Sequence, residues 1–140
     1  MCDIAGHGQV ITIDIYHRDN PIHPRVRFLD GNSVDPTIVT TITEIVSQGS
    51  VMVILDSNHS EVHVRQELLA YAPLVPNGQY LVVEDAYDKR SGKAYWAVES
   101  FLSDHPEWER VPMERQFLVC VTRLGWLRRR GISNANIESI

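Results

Sequence analysis

Apolar and polar positions fall along this chain in two rhythms, short continuous apolar runs and longer amphipathic ones. The stretch QVITIDI (Gln9 to Ile15) is β-branched and bounded by Gly8 and a polar turn, so it predicts a strand. RVRFLDG (Arg25 to Gly31) predicts a shorter strand closed by Asp30 and Gly31. DPTIVTTITEIVSQG then offers Asp35 as N-cap, Pro36 at the first helical position and Gly49 as the stop. Its apolar residues Ile38, Val39, Ile42, Ile45 and Val46 recur at helical spacing, which outweighs the β preference of the threonines.

VMVILD (Val51 to Asp56) follows as a near-continuous apolar strand of the kind buried on both faces in parallel sheets. SEVHVRQELLAYAPLV predicts a helix with Ser60 as N-cap and a stripe of Val62, Leu68, Leu69 and Ala72, ended by Pro73 and Pro76. His63 falls on this helix as an expected surface residue. An Asn-Gly turn precedes the strand in NGQYLVVED. KAYWAVESFLSDHP predicts a helix with Ala94, Ala97, Val98, Phe101 and Leu102 inward, and RQFLVCVTRLGWLRR a strand with an edge hairpin or tail. Strands alternating with helices define an α/β domain around a mostly parallel sheet.

Composition narrows the function classes. The 140 residues, 44% hydrophobic and 22% charged, suit one globular domain. A net charge of −5 counts against a nucleic-acid partner, and the basic cluster RLGWLRRR reads more simply as a solvated face. Cys2 and Cys120 lie far apart and outside any CxxC spacing, so neither a disulfide framework nor a zinc site is expected. No apolar run reaches the length of a membrane span, and MCDIAGHGQ lacks the regions of a signal peptide. A cytoplasmic protein is the expectation.

Asp14, Asp30, Asp56, Glu84 and Asp85 all fall at carboxyl ends of predicted strands, where α/β sheets place their ligands. Carboxylates gathered at one edge repel unless a cation or base sits among them. Asp56, Glu84 and Asp85, as hard oxygen donors, suit Mg²⁺ or a similar divalent ion; the plainer alternative is that each caps a helix or faces solvent. His59, three residues after Asp56, is placed to take a proton from a substrate hydroxyl, or is an ordinary loop histidine. Asp14 suits the ribose hydroxyls of a nucleotide-like cofactor, though helix capping explains it equally well. Gly31, Asn32 and Ser33 form a turn that could lie close against an adenine ring, because Gly31 has no side chain.

The run VILDSNHSEVHVRQELLAYAPLVPNGQYLVVED resembles the cephalosporin hydroxylase / rhamnosyl O-methyltransferase family, whose members depend on S-adenosylmethionine. GQVITIDI and RQFLVCVTRLGWLRR resemble the same family, so the likeness extends over nearly the whole chain. A more distant resemblance is to metal-dependent catechol-type methyltransferases. The resemblance implies Asp56, Glu84 and Asp85 as Mg²⁺ ligands, Asp14 on the cofactor ribose and His59 as general base. It implies a Rossmann-like class I methyltransferase sheet, and methyl transfer to a hydroxyl of a sugar or related small molecule. The family's Gly-rich first strand and turn would precede GQVITIDI, and only MCDIAGH does so here. The expectation is a single methyltransferase-like domain over residues 1–140, incomplete at its N-terminus. With the first strand missing from the sheet centre, exposed edges predict a homo-oligomer. Without the Gly-rich turn, the isolated chain is expected to bind S-adenosylmethionine weakly or not at all. Two rivals are a non-catalytic binding or assembly module of the same fold and, more remotely, a receiver-type signalling domain. The receiver class expects its acid pair near the first strand and a lysine after a late one, whereas VCVTR ends in Arg123.

Overall fold

The computed structural model describes residues 7–16, 23–46, 49–87, 92–112 and 122–131. The chain forms two compact units, Met1–Ile45 and Val46–Ile140.

In the first unit, strand β1 (Val10–Asp14) pairs in parallel with strand β2 (Val26–Asp30), in a register that sets Asp14 beside Asp30. Helix α1 (Pro36–Ile45) follows, and Asp35 caps it as expected, its Oδ1 accepting from the Thr37 N–H at 2.8 Å. Thr40, Thr41 and Thr43 donate their hydroxyls to carbonyls one turn back, each at 2.8 Å. These bonds satisfy the hydroxyls inside the helix, so their β preference does not break it. The helix stops at Ile45, before the glycine expected to end it.

The second unit holds strand β3 (Val53–Leu55), helix α2 (Glu61–Tyr71) continued by a 3₁₀ turn (Ala72–Leu74), strand β4 (Tyr80–Val83), helix α3 (Lys93–Asp104), strand β5 (Trp108–Arg110) and strand β6 (Trp126–Arg129). The strand order is β3-β4-β6-β5. β3 and β4 are parallel, whereas β6 runs antiparallel to both β4 and β5. The fold is therefore α/β with mixed sheets, which corrects the mostly parallel expectation. β6 lies inside the sheet and not at an edge or in a tail, while the RQFLVCV part of that expected strand lies outside the described residues.

β5 was not expected, since Trp-Glu-Arg between prolines carries no strand pattern. Pairing creates it: Glu109 faces Arg128 across the ladder, accepting from that guanidinium at 2.6 and 2.9 Å, and Trp108 is buried. The basic cluster is used in the same way. Arg130 also approaches Glu109, at 3.4 Å, and Arg129 donates to the Val75 carbonyl at 2.7 Å.

Leu81, Val82 and Val83 are all buried, so β4 is the strand covered on both faces. Among the described residues β3 is an edge strand of its sheet, and Met52 and Ile54 are exposed, contrary to the expectation of burial on both faces. α2 buries Val64, Glu67, Leu68 and Tyr71, leaving Val62 and Leu69 exposed. The true stripe sits at positions 64, 67, 68 and 71, shifted from the expected one because a carboxylate occupies one of its places. α3 buries Ala94, Ala97, Val98 and Phe101, as expected, and lies beside α2. Among the described residues, no helix is long and apolar enough to cross a membrane.

Candidate functional site

The parallel pairing of β3 and β4 brings Leu55 level with Val83, so the residues that follow each strand emerge at the same edge. The Glu84 N–H donates to the Leu55 carbonyl at 2.9 Å and extends the pairing by one bond. Asp56 leaves β3 there, and Glu84 and Asp85 leave β4. His59 closes the group: its Nδ1 lies 2.6 Å from Asp85 Oδ2, and its Nε2 lies 3.4 Å from Asp56 Oδ1. A carboxylate can only accept, so Nδ1 carries the hydrogen toward Asp85. Nε2 is shielded from solvent and makes no aligned hydrogen bond, so Asp56 acts on it through charge alone.

Glu84 registers the same field. Its carboxyl is held above the ordinary glutamate range by burial first, then by the charges of Asp56 and Asp85, with His59 pulling the other way. Asp85 adopts φ 55°, a left-handed backbone that non-glycine residues seldom take and that aspartate tolerates better than most. The turn is held in that shape from outside. Val83 N–H donates to the Gly125 carbonyl at 2.9 Å, and Leu124 N–H donates to the Ala86 carbonyl at 2.7 Å. Only a glycine can sit at 125, since a Cβ there would lie 2.0 Å from the Val83 carbonyl oxygen.

The loop from Asp56 to Ser60 is equally fixed. Ser57 Oγ donates to Glu67 Oε1 at 2.7 Å, the Ser60 N–H donates to Asn58 Oδ1 at 2.9 Å, and Ser60 Oγ caps α2 by accepting from the His63 N–H at 3.4 Å. His63 is mostly buried and its Nε2 lies 3.5 Å from Glu67, so it is not the surface residue expected from its place in the sequence. A cleft of about 390 Å³ opens between this loop and the start of α3. His59 and Asp85 line it together with Asn58, Tyr87 and Lys93; Asp56 and Glu84 do not line it.

Tyr87 and Lys93 were not singled out in the sequence. Their available signals were slight, a tyrosine two residues past the acid pair and a lysine opening a helix after Gly92. Gly125 and Glu67 carried no local signal at all.

In the first unit, Asp14 and the Gly31–Ser33 turn lie at one edge, because β1 and β2 are parallel. The Gly31 N–H donates to the Asp14 carbonyl at 2.9 Å, and Asp14 Oδ1 accepts from the Tyr16 N–H at 3.0 Å. Asn32 Oδ1 accepts from the Val34 N–H at 3.2 Å. A Cβ at Gly31 would come within 2.9 Å of the end of the Ile38 side chain, so α1 packs closely against this turn, although that side chain can shift to relieve the contact.

The donor set suits a hard divalent cation: three carboxylates stand at adjacent strand ends, and the charges of Asp56 and Asp85 add to the cost of ionising Glu84. Among the described residues, no three His, Cys, Asp or Glu side chains already converge as a metal cage.

In α/β folds ligands sit where parallel strands end, and the acids and His59 of this chain gather at such an edge. Residues 1–130 match the rhamnosyl O-methyltransferase/CmcI family, and the chain belongs to that family. It is 31% identical over 141 residues to the rhamnosyl O-methyltransferase of Mycobacterium tuberculosis (strain ATCC 25618 / H37Rv), covering 90% of this chain and 55% of the relative. The Mycobacterium leprae (strain TN) rhamnosyl O-methyltransferase is 30% identical over 144 residues, covering 93% of this chain and 63% of that protein. The chain thus spans somewhat over half the length of these curated relatives.

Among solved structures, MycE methyltransferase from the mycinamycin biosynthetic pathway, in complex with Mg, SAH and mycinamycin VI, aligns with a TM-score of 0.61. Identity there is 20%, over 95% of this chain and 39% of MycE. A MycE structure with Mg and SAH aligns at 0.56, with 22% identity over 89% of this chain and 38% of that one. These likenesses establish the fold.

Proposed function

We propose that this chain is the acid-and-histidine-bearing part of an S-adenosylmethionine-dependent, divalent-metal-assisted O-methyltransferase acting on a hydroxyl of a sugar or related small molecule. The observation that carries the reading is His59 set between Asp56 and Asp85, with Glu84 in the same field, in a chain of this family. The relatives' name, rhamnosyl O-methyltransferase, supplies the sugar-hydroxyl acceptor. Asp56, Glu84 and Asp85 would hold Mg²⁺ or a similar cation, as the Mg in the MycE complexes suggests. Such an ion supplies positive charge that makes a neighbouring hydroxyl more acidic.

The residues of this chain do the rest. Asp85 holds the His59 ring by Nδ1, which fixes the tautomer and leaves the lone pair on Nε2 to accept the hydroxyl proton; because that nitrogen is shielded at rest, the acceptor hydroxyl has to displace its present cover to reach it. Asp56 Oδ1 lies 3.4 Å from that nitrogen. The cleft beside His59 and Asp85 receives the acceptor, with Tyr87 and Lys93 on its wall. On this reading Asp14, Gly31, Asn32 and Ser33 serve the nucleoside part of the cofactor at the β1–β2 edge. Both units then belong to one methyltransferase-like domain with a Rossmann-like sheet. The exposed Ile54 on edge strand β3, with exposed Met52 just before the strand, favours a homo-oligomer.

A second reading, a non-catalytic binding or assembly module of the same fold, is supported by the cleft beside His59, which neither Asp56 nor Glu84 lines. Labelled S-adenosylmethionine at high concentration, a rhamnose-bearing glycoside and Mg²⁺ decide between the two. Transfer of label by the wild-type chain, reduced about 100-fold or more by His59→Ala, supports the enzyme. Absence of label in the wild type favours the module.

A further inference from the structure

Glu67 occupies a core position on α2, in the stripe with Val64, Leu68 and Tyr71, and is 2% exposed. An apolar side chain would pack there without the penalty of removing a charge from water. What the carboxylate adds is contact with the loop before the helix. Its Oε1 receives the Ser57 hydroxyl at 2.7 Å, and His63 Nε2 approaches the same oxygen at 3.5 Å. Ser57 sits directly between Asp56 and the Asn58–His59 pair, at the point where the chain leaves β3. The charge of Glu67 is also felt by Tyr71, whose hydroxyl is pushed up to about 12 by burial and then by that carboxylate.

We propose that Glu67 is a positioning residue: acting through Ser57, it fixes the β3–α2 loop so that Asp56 and His59 face Glu84 and Asp85. The inference rests on the proposed function, in which Asp56 and His59 act. It gives a buried charge on a helix core face a task that neither packing nor capping requires. Asn58 and Ser60 shape the loop by their own local bonds, whereas the Ser57 hydroxyl ties it to the interior, through a side chain ten residues away.

The test uses the 140-residue chain with NMR of the His59 ring and amide hydrogen exchange at Asn58 and His59. Ser57 is exposed, so Ser57→Ala should keep the fold and its melting temperature. It should nonetheless shift the His59 ring resonances and speed exchange at the two amides by between about twofold and about tenfold. Glu67→Leu should melt at or above the wild-type temperature and show the same loosened loop, whereas Glu67→Gln, which keeps an oxygen for Ser57, should restore wild-type signals. A purely structural role for Glu67 predicts the reverse order, lowered melting with an unchanged loop. Wild-type exchange and wild-type His59 resonances in Ser57→Ala overturn the proposal. Divalent-cation titration of the same samples keeps the two failures apart, because a chain that binds no cation refutes the proposed function and leaves the loop readout unaffected.

Discussion

Gly125→Ala is the substitution whose consequence follows most directly from geometry. The added methyl would lie 2.0 Å from the Val83 carbonyl oxygen, 2.9 Å from its carbonyl carbon and 3.1 Å from the Ala86 methyl. The first two are backbone atoms at the end of the central strand, so no side-chain rotation relieves the clash. The loop at 122–125 must instead move away from β4, and two hydrogen bonds are put at risk, Val83 N–H to Gly125 and Leu124 N–H to Ala86. Overpacking of this kind destabilises by about 1–3 kcal/mol, and each backbone bond lost adds about 0.5–1.5 kcal/mol. A loss of about 2–6 kcal/mol is a large part of the stability of a domain this size. Urea unfolding should show it as a midpoint lowered by about 1–3 M with an unchanged slope. The same bonds hold the turn that carries Glu84 and Asp85, so the His59–Asp85 contact should weaken in whatever fraction remains folded. A variant within about 0.5 kcal/mol of wild type would refute the close approach.

Glu84→Gln should stabilise the chain at neutral pH. The folded state raises this carboxyl above its ordinary value of 4.5, so it keeps the proton to higher pH than the unfolded chain does; stability falls as pH rises through that window and the loss is complete above it. Unfolding midpoints should favour the variant at pH 7 and converge with wild type below about pH 4. Light scattering at micromolar concentration should find a dimer or larger assembly, and a stable, clean monomer would show that the edge of β3 needs no partner.

The strand-end acids were legible because carboxylates closing apolar runs stand out, and parallel pairing of β3 and β4 carries Asp56, Glu84 and Asp85 to one edge. Helix starts at Asp35 and Ser60 were legible for a similar reason, since capping is chemistry between near neighbours. Features set by distant partners were not. β5 exists only through its ladder with β6, and nothing in Trp-Glu-Arg announces that partner. The inward face of α2 was misplaced because Glu67 looks like a surface residue until Ser57 and His63 are seen beside it. VMVILD reads as a doubly covered strand, yet β3 is an edge, and hydrophobicity alone does not distinguish the two positions. Gly125 is an ordinary glycine in the sequence and an obligatory one in the fold.

Cation binding tests the strand-end acids most directly. Calorimetric titration of the wild-type chain with Mn²⁺ as a probe should reveal one site, with Asp56→Asn and Asp85→Asn each weakening it about tenfold or more, equivalent to about 1.4 kcal/mol. No binding by the wild type, or an affinity unchanged in both variants, would contradict the assignment of Asp56, Glu84 and Asp85 to one metal site beside His59.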